Sequence, residues 1–287
     1  MDSLNVIGAG KLGRTLARAW HQAGTLAIGG VLCREPAHAA EAVAFIGAGT
    51  AAATLMSLPA ARWWLIATPD DAIAGTAAQL AESGLIRQGD VVFHASGVLD
   101  AAALRAVAVA GASTGSLHPA LSFAEPARAL QQLPGTPCAI EGAAAAELEA
   151  LARALGGQPF RLAPGGKACY HAATVFASNY LVTLTALAAE AAMAAGLTGP
   201  QALALLAPLM RQTLDNALAL GPERALTGPI ARGDVATVAS HLAALPPTLQ
   251  PAYRALGHAT VALAADRLPT DAAARLDALL AGTAPSV

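Results

Sequence analysis

Up to about residue 164 the chain alternates short apolar runs with longer stretches of helical spacing. "LNVIGAG", "LAIGGVLCR", "RWWLIATPDD", "GDVVFHASG", "STGSLHPAL", "GTPCAIEG" and "GQPFRLAP" are the apolar runs and predict strands. "KLGRTLARAWHQAG", "DAIAGTAAQLAESG", "LDAAALRAVAVAG" and "AAAAELEALARALGG" lie between them and predict helices. Strands alternating with helices imply an α/β fold with a parallel, doubly wound sheet. In "ATPDDAI", Asp70 or Asp71 is expected to cap the helix that follows.

From about Gly165 the strand signals stop, and the spacing predicts an all-helical remainder. Helices are expected over 167–195, 199–220, 234–245, 247–266 and 270–281. Thr198 and Asp234 stand where N-caps belong, and Pro200 where a first-turn proline is tolerated. The reading is therefore two domains, 1–164 and 165–287, with the tail "GTAPSV" frayed.

Composition narrows the class. Hydrophobic residues make up 55% of the 287 and charged ones 13%, which excludes a disordered chain. The formal net charge of −2 gives no footprint for nucleic acid. Three scattered cysteines with no C-x-x-C, and an N-terminus unlike a signal peptide, point to a cytoplasmic protein. Residues 168–189 lack any charged side chain and are long enough to span a bilayer. His171, Ser178, Asn179 and several threonines within them favour a buried helix instead.

Candidate chemistry begins at the first turn. "VIGAGKLG" places Gly8, Gly10 and Gly13 as G-x-G-x-x-G between a strand and a helix. The first glycine permits the tight turn, the second lets backbone approach a pyrophosphate, and the third packs helix on strand. Gly8, Ala9, Gly10, Lys11, Leu12 and Gly13 are thus the expected phosphate-binding loop. Arg34, at the end of the second strand, suits the 2′-phosphate of NADP(H) better than Glu35 suits the free ribose of NAD. Thr68, Pro69, Ser96 and Gly97 follow later strands and are expected along the nicotinamide side.

"KACYHAATVFASNYLVTL" concentrates the remaining candidates. At about 100° per residue, with His171 at zero, Lys167 falls near −40°, Thr174 near −60°, Ser178 near −20° and Asn179 near +80°. Such a shared arc suggests a polar cleft, with Lys167 at its mouth and its ammonium in water. His118 in "GSLHPAL" is a second candidate, and Arg232 could clamp a substrate carboxylate. His94, His118 and His171 show no ligand-type spacing, so no metal is expected.

Together "GAGKLG", "TPDDAI", "HASG", "GSLHPALSF", "KACYHAATVFASNYLVTL" and "ALTGPIARGD" resemble the NADP oxidoreductases that join a Rossmann-like domain to a helical domain of unknown function, number 2520. Wider relatives are 6-phosphogluconate and 3-hydroxyisobutyrate dehydrogenases, ketopantoate reductase, pyrroline-5-carboxylate reductase and prephenate dehydrogenase. The resemblance implies a Rossmann domain followed by a helical domain of the 6-phosphogluconate dehydrogenase C-terminal type, and a homodimer through the latter. Ketopantoate reductase carries a lysine on the first helix of its second domain, with asparagines four and eight residues on. Those positions fall on His171, Val175 and Asn179 here. The lysine is replaced by a histidine, a side-chain type that titrates near working pH.

The expectation is hydride transfer between NADP(H) and a small carbonyl, hydroxy-acid or imine compound. His171 or His118 would exchange the accompanying proton, Ser178 and Asn179 would hold the reacting group, and Arg232 and Lys167 the rest of the substrate. The alternative is a dinucleotide-binding sensor without turnover. No nucleic acid or membrane partner is expected.

Overall fold

Short β-branched and apolar runs cannot bury both faces alone, and here eight of them pair into one sheet. The computed structural model describes residues 1–283, and most of the tail "GTAPSV" lies outside them. The strands are β1 (Ser3–Ile7), β2 (Ala27–Leu32), β3 (Thr50–Ala52), β4 (Trp63–Ile66), β5 (Val91–His94), β6 (Ser113–Pro119), β7 (Pro137–Gly142) and β8 (Gln158–Arg161). Their order is β3-β2-β1-β4-β5-β6-β7-β8. The first six run parallel, doubly wound about β1, as the alternation implied. β7 then pairs antiparallel with β6, so the sheet is not parallel throughout. Only α5 (Pro126–Gln132) separates those two strands.

Helices cover both faces. α1 (Lys11–Gln22), α2 (Pro36–Ile46), α5 and α6 (Ala145–Ala154) enclose one core with Leu16, Trp20, Ile46, Phe93 and Leu148. Trp20 is fully buried there, its indole N–H donating to the Leu151 carbonyl at 3.0 Å. α3 (Asp70–Glu82) and the short α4 (Arg105–Val109) cover the other face over Trp64, Ile66, Ile73, Leu80 and Val107. Among the strands and α-helices of residues 1–175, three escaped the sequence pattern: α2, β3 and α5. Alanine-rich α2 shows little contrast between its faces, and β3 has three residues. Asp70 and Asp71 are not caps, since Pro69 holds the N-cap position. They sit in the first turn, where carboxylates favour the positive end of the helix dipole.

The chain divides into two compact units, residues 1–175 and 176–287. The division falls inside α7 (Lys167–Ala177), whose first turns belong to the sheet unit. A single helix over 167–195 is not what forms. Ser178, at φ −118° and ψ −71°, stays in the right-handed region but distorts the helix enough to interrupt it for one residue, and α8 (Asn179–Ala194) begins after it. Local hydroxyl bonds accompany the break, among them Thr174 Oγ1 donating to the His171 carbonyl at 2.8 Å.

The second unit is all helical: α8, α9 (Gly199–Leu220), α10 (Pro222–Ala225), α11 (Val235–Ala244), α12 (Gln250–Leu263) and α13 (Thr270–Ala281). Val238, Leu242, Val261, Leu276 and Leu280 form its core. Thr198 and Asp234 stand at their expected N-cap positions, and the Asp234 carboxylate accepts from the Thr237 amide at 3.0 Å. The stretch expected to be buried is open in the single chain, with Phe176 69% and Val182 70% exposed. By length and composition alone, Lys167–Ala194 could cross a membrane.

Candidate active site

The carboxyl ends of β1, β4, β5 and β6 are neighbours in the sheet, so the loops that leave them form one edge. Ligands bind at this edge in open α/β sheets. Strands lie about 4.8 Å apart, so the loop after β1 and the ends of β5 and β6 are separated by roughly 10–15 Å.

At one end is the glycine turn. Gly8 has φ +86°, and a Cβ there would lie 2.6 Å from the Thr68 amide nitrogen. A Cβ on Gly13 would meet the Gly8 carbonyl oxygen at 2.7 Å. Gly10 is the N-cap of α1 and has nothing within 4 Å of such a Cβ. Two glycines therefore close the turn while the middle one faces open space. The first bond into α1 comes from the Arg14 amide to the Gly10 carbonyl. The amides of Lys11, Leu12 and Gly13 are the donors that a helix start leaves free. Ala9 is buried beneath the turn. The buried Thr68 hydroxyl beside it has no hydrogen-bond partner among the described residues. Arg34 is exposed just past β2, and Pro69 is the exposed N-cap of α3.

At the other end two histidines flank a glycine. A Cβ on Gly97 would meet His171 Cδ2 at 2.5 Å and His118 Nε2 at 2.9 Å. The two imidazole centroids are 6.3 Å apart. His118 Nδ1 lies 2.8 Å from the Tyr170 hydroxyl. Burial, with Lys167 and His171 adding to it, pushes the His118 pKa down to about 4. Burial pushes the Tyr170 phenol up to about 12. Both groups are therefore neutral near pH 7.

Lys167 does not stand at a cleft mouth. It is only 4% exposed, and its ammonium donates to Ser116 Oγ at 2.6 Å. Ser116 in turn donates to Glu141 Oε1 at 2.6 Å. The four-carbon stem is long enough to reach the strand, and the carboxylate behind the serine offsets part of the buried charge. Burial pushes its pKa down to about 8, against the opposing pull of Glu141, Asp100 and Asp70. Lys167, Glu141 and Asp100 line a cavity of about 190 Å³. Alternation along β6 puts Ser116 and His118 on one face. Lys167 and Tyr170, three apart on α7, meet them as two rungs.

Ser96 serves its own turn. Its Oγ accepts from the amides of Val98 and Leu99, and its amide donates to His94 Nδ1 at 3.2 Å. With Nδ1 accepting, His94 Nε2 is the donor to the Asp100 carbonyl at 3.1 Å. Both His94 nitrogens are thereby used, and burial lowers its pKa. Among the described residues no group of three or more His, Cys, Asp or Glu is placed to hold a metal ion. Ser178, Asn179 and Arg232 belong to the second unit, and all three are exposed. The reading of the sequence missed Tyr170, Ser116 and Glu141. The signal was available in part: Ser116 is two residues before His118, and Tyr170 directly precedes His171.

An open glycine turn on the carboxyl edge of a doubly wound sheet defines the Rossmann-like class. Residues 2–119 match the model of a Rossmann-like domain, and residues 136–260 that of a domain of unknown function, DUF2520. The two matches follow one another along the chain, the Rossmann-like domain first. Among solved structures it is similar to a Bacteroides fragilis protein whose name describes a candidate NADP oxidoreductase. That match has 24% identity and a TM-score of 0.71, covering 89% of this chain and 96% of the other. A Thermotoga maritima protein is 28% identical with a TM-score of 0.63, over 82% of this chain and 86% of its own. A reductive aminase from Aspergillus terreus, solved with NADPH and ethyl levulinate, is 16% identical with a TM-score of 0.66. It covers 97% of this chain and 99% of its own. Comparison with curated proteins gives no match.

Proposed function

We propose that the chain is an NADP-dependent oxidoreductase acting on a small carbonyl, hydroxy-acid or imine compound. The observation that carries the reading is the glycine turn. It is closed by Gly8 and Gly13, open at Gly10, and bordered by a buried Thr68 hydroxyl without a partner. These features fit a dinucleotide: free amides at a helix start for the pyrophosphate, and a hydroxyl awaiting an acceptor. The exposed Arg34 suits the 2′-phosphate. NADP, when bound, supplies or accepts the hydride. The names of the Bacteroides fragilis and Aspergillus terreus proteins support this choice.

The proton that accompanies the hydride is assigned to His171. Its ring is half-buried, borders Gly97, and makes no side-chain hydrogen bond among the described residues. His118 is held neutral and bonded to Tyr170, so near pH 7 it carries no extra proton to give. The proposal uses the first unit alone; Ser178, Asn179 and Arg232 are not needed for it. The protein acts in the cytoplasm as a homodimer through the helical unit. Val182, Leu205, Leu209 and Leu218 leave 58–78% of their surface exposed in one chain, apolar surface that a partner copy would cover. Light scattering should give about twice the 28.5 kDa of one chain.

Calorimetric titration tests the cofactor assignment. NADPH should bind more tightly than NADH by about ten- to a hundredfold, the worth of a charge-assisted contact. Arg34→Ala should shrink that gap. Equal affinities in the wild type would remove the NADP assignment.

A further inference from the structure

His118 is half-buried, neutral, and among the described residues hydrogen-bonded through one nitrogen only. A neutral imidazole has one donor and one acceptor nitrogen, and its neighbours decide which is which. Two arrangements fit a 2.8 Å contact between Nδ1 and the Tyr170 hydroxyl. In one, Nδ1–H donates to the phenol oxygen. The phenolic proton then needs an acceptor, and Tyr170 has no second hydrogen-bond partner among the described residues. In the other, the phenol donates to Nδ1, which satisfies the phenolic proton and leaves the Nε2 proton beside Gly97. A phenol O–H is a stronger donor than a neutral imidazole N–H, and an imidazole nitrogen a stronger acceptor than a phenol oxygen, so the second arrangement is favoured.

We infer that Tyr170 is a positioning residue: its hydroxyl donates to His118 Nδ1 and thereby fixes Nε2–H as a neutral donor beside Gly97. Three further observations support this. The phenol stays protonated, its pKa being about 12. Phe160 packs edge-on against Tyr170 at 5.9 Å, which holds the ring in place. Nε2 has no partner among the described residues, and Gly97 keeps its approach open where any Cβ would stand 2.9 Å away. The two histidines then divide the work. His118 Nε2–H polarises the oxygen or nitrogen of the reacting group without changing charge, a role a neutral imidazole can fill. His171 exchanges the proton. That division rests on the oxidoreductase reading; the tautomer does not.

Long-range proton–nitrogen correlation spectra of the nitrogen-15-labelled protein read the tautomer directly, with His118→Gln giving the assignment. The wild type should show an unprotonated Nδ1 and a protonated Nε2. Tyr170→Phe keeps the ring against Phe160, so the fold should be retained. In that variant the two tautomers should mix. Its kcat should fall about two- to tenfold, as loss of one neutral hydrogen bond allows, with NADPH affinity unchanged within about twofold. A protonated Nδ1 in the wild type overturns the inference. So does a Tyr170→Phe variant with the wild-type tautomer. The expected tautomers without turnover on any substrate would uphold the role of Tyr170 and sink the oxidoreductase reading instead.

Discussion

Gly97→Ala should separate folding from chemistry at this site. Gly97 does not have positive φ, so alanine strains no backbone there. The conflict is between side chains. The new Cβ would sit 2.5 Å from His171 Cδ2 and 2.9 Å from His118 Nε2, where ordinary contact begins at 3.4 Å. His118 is pinned by Tyr170, so His171, which has no such bond, is the ring that yields. It must move by about 1 Å, and a displacement of that size at a reacting group can cost about a hundredfold in rate. A half-buried ring can swing toward solvent, so the folding cost should stay near the lower end of the roughly 1–3 kcal/mol of overpacking. The assay is steady-state NADPH oxidation with 2-oxoacids, aldehydes and cyclic imines, beside a thermal melt and an NADPH titration. The expected result is a fall in kcat/KM of about ten- to a hundredfold, with cofactor affinity within about twofold. Wild-type turnover in a folded Gly97→Ala protein would refute the placement of the chemistry between these histidines.

The glycine turn predicts an opposite split. Gly10→Ala should melt like the wild type, since nothing lies within 4 Å of its Cβ, yet lose NADPH affinity about tenfold or more. Gly8→Ala, at φ +86° and 2.6 Å from the Thr68 amide nitrogen, should instead lower stability by about 2 kcal/mol or more; the two variants' melting curves decide it. Lys167 predicts a pH effect: its folded pKa, about 8, lies below the ordinary 10.5, so the unfolded chain binds more protons in that window and stability rises with pH. Between about pH 7.5 and 9.5 the wild type should gain roughly 2 kcal/mol relative to Lys167→Met in urea unfolding, and a constant difference would contradict the burial of that ammonium.

Much of this molecule was legible in the sequence where a single element carries the signal. The glycine spacing after β1, the strands around Trp64 and Phe93, and the caps at Thr198 and Asp234 are local features. The reversal of β7 was not legible, because strand direction depends on the connection and not on the run itself. The break at Ser178 was hidden by an unbroken apolar pattern. Lys167 shows the deeper limit. Its place on the α7 arc was readable, but a helical wheel treats the arc as facing solvent or a cleft. The same arc meets Ser116 and His118 on β6, and that pairing exists only once strand and helix are packed. Tyr170 went unread for the same reason.

The central claim is that His171 serves the chemistry and the glycine turn serves the cofactor. It is tested most directly by His171→Ala, measured at once for NADPH binding and for NADPH oxidation with the substrate that the wild type turns over best. A histidine acting as acid typically contributes about a hundred- to ten-thousandfold. The account predicts a loss of that order in kcat with NADPH affinity retained. A variant that turns over like the wild type, or that loses rate only because it no longer binds NADPH, would contradict it.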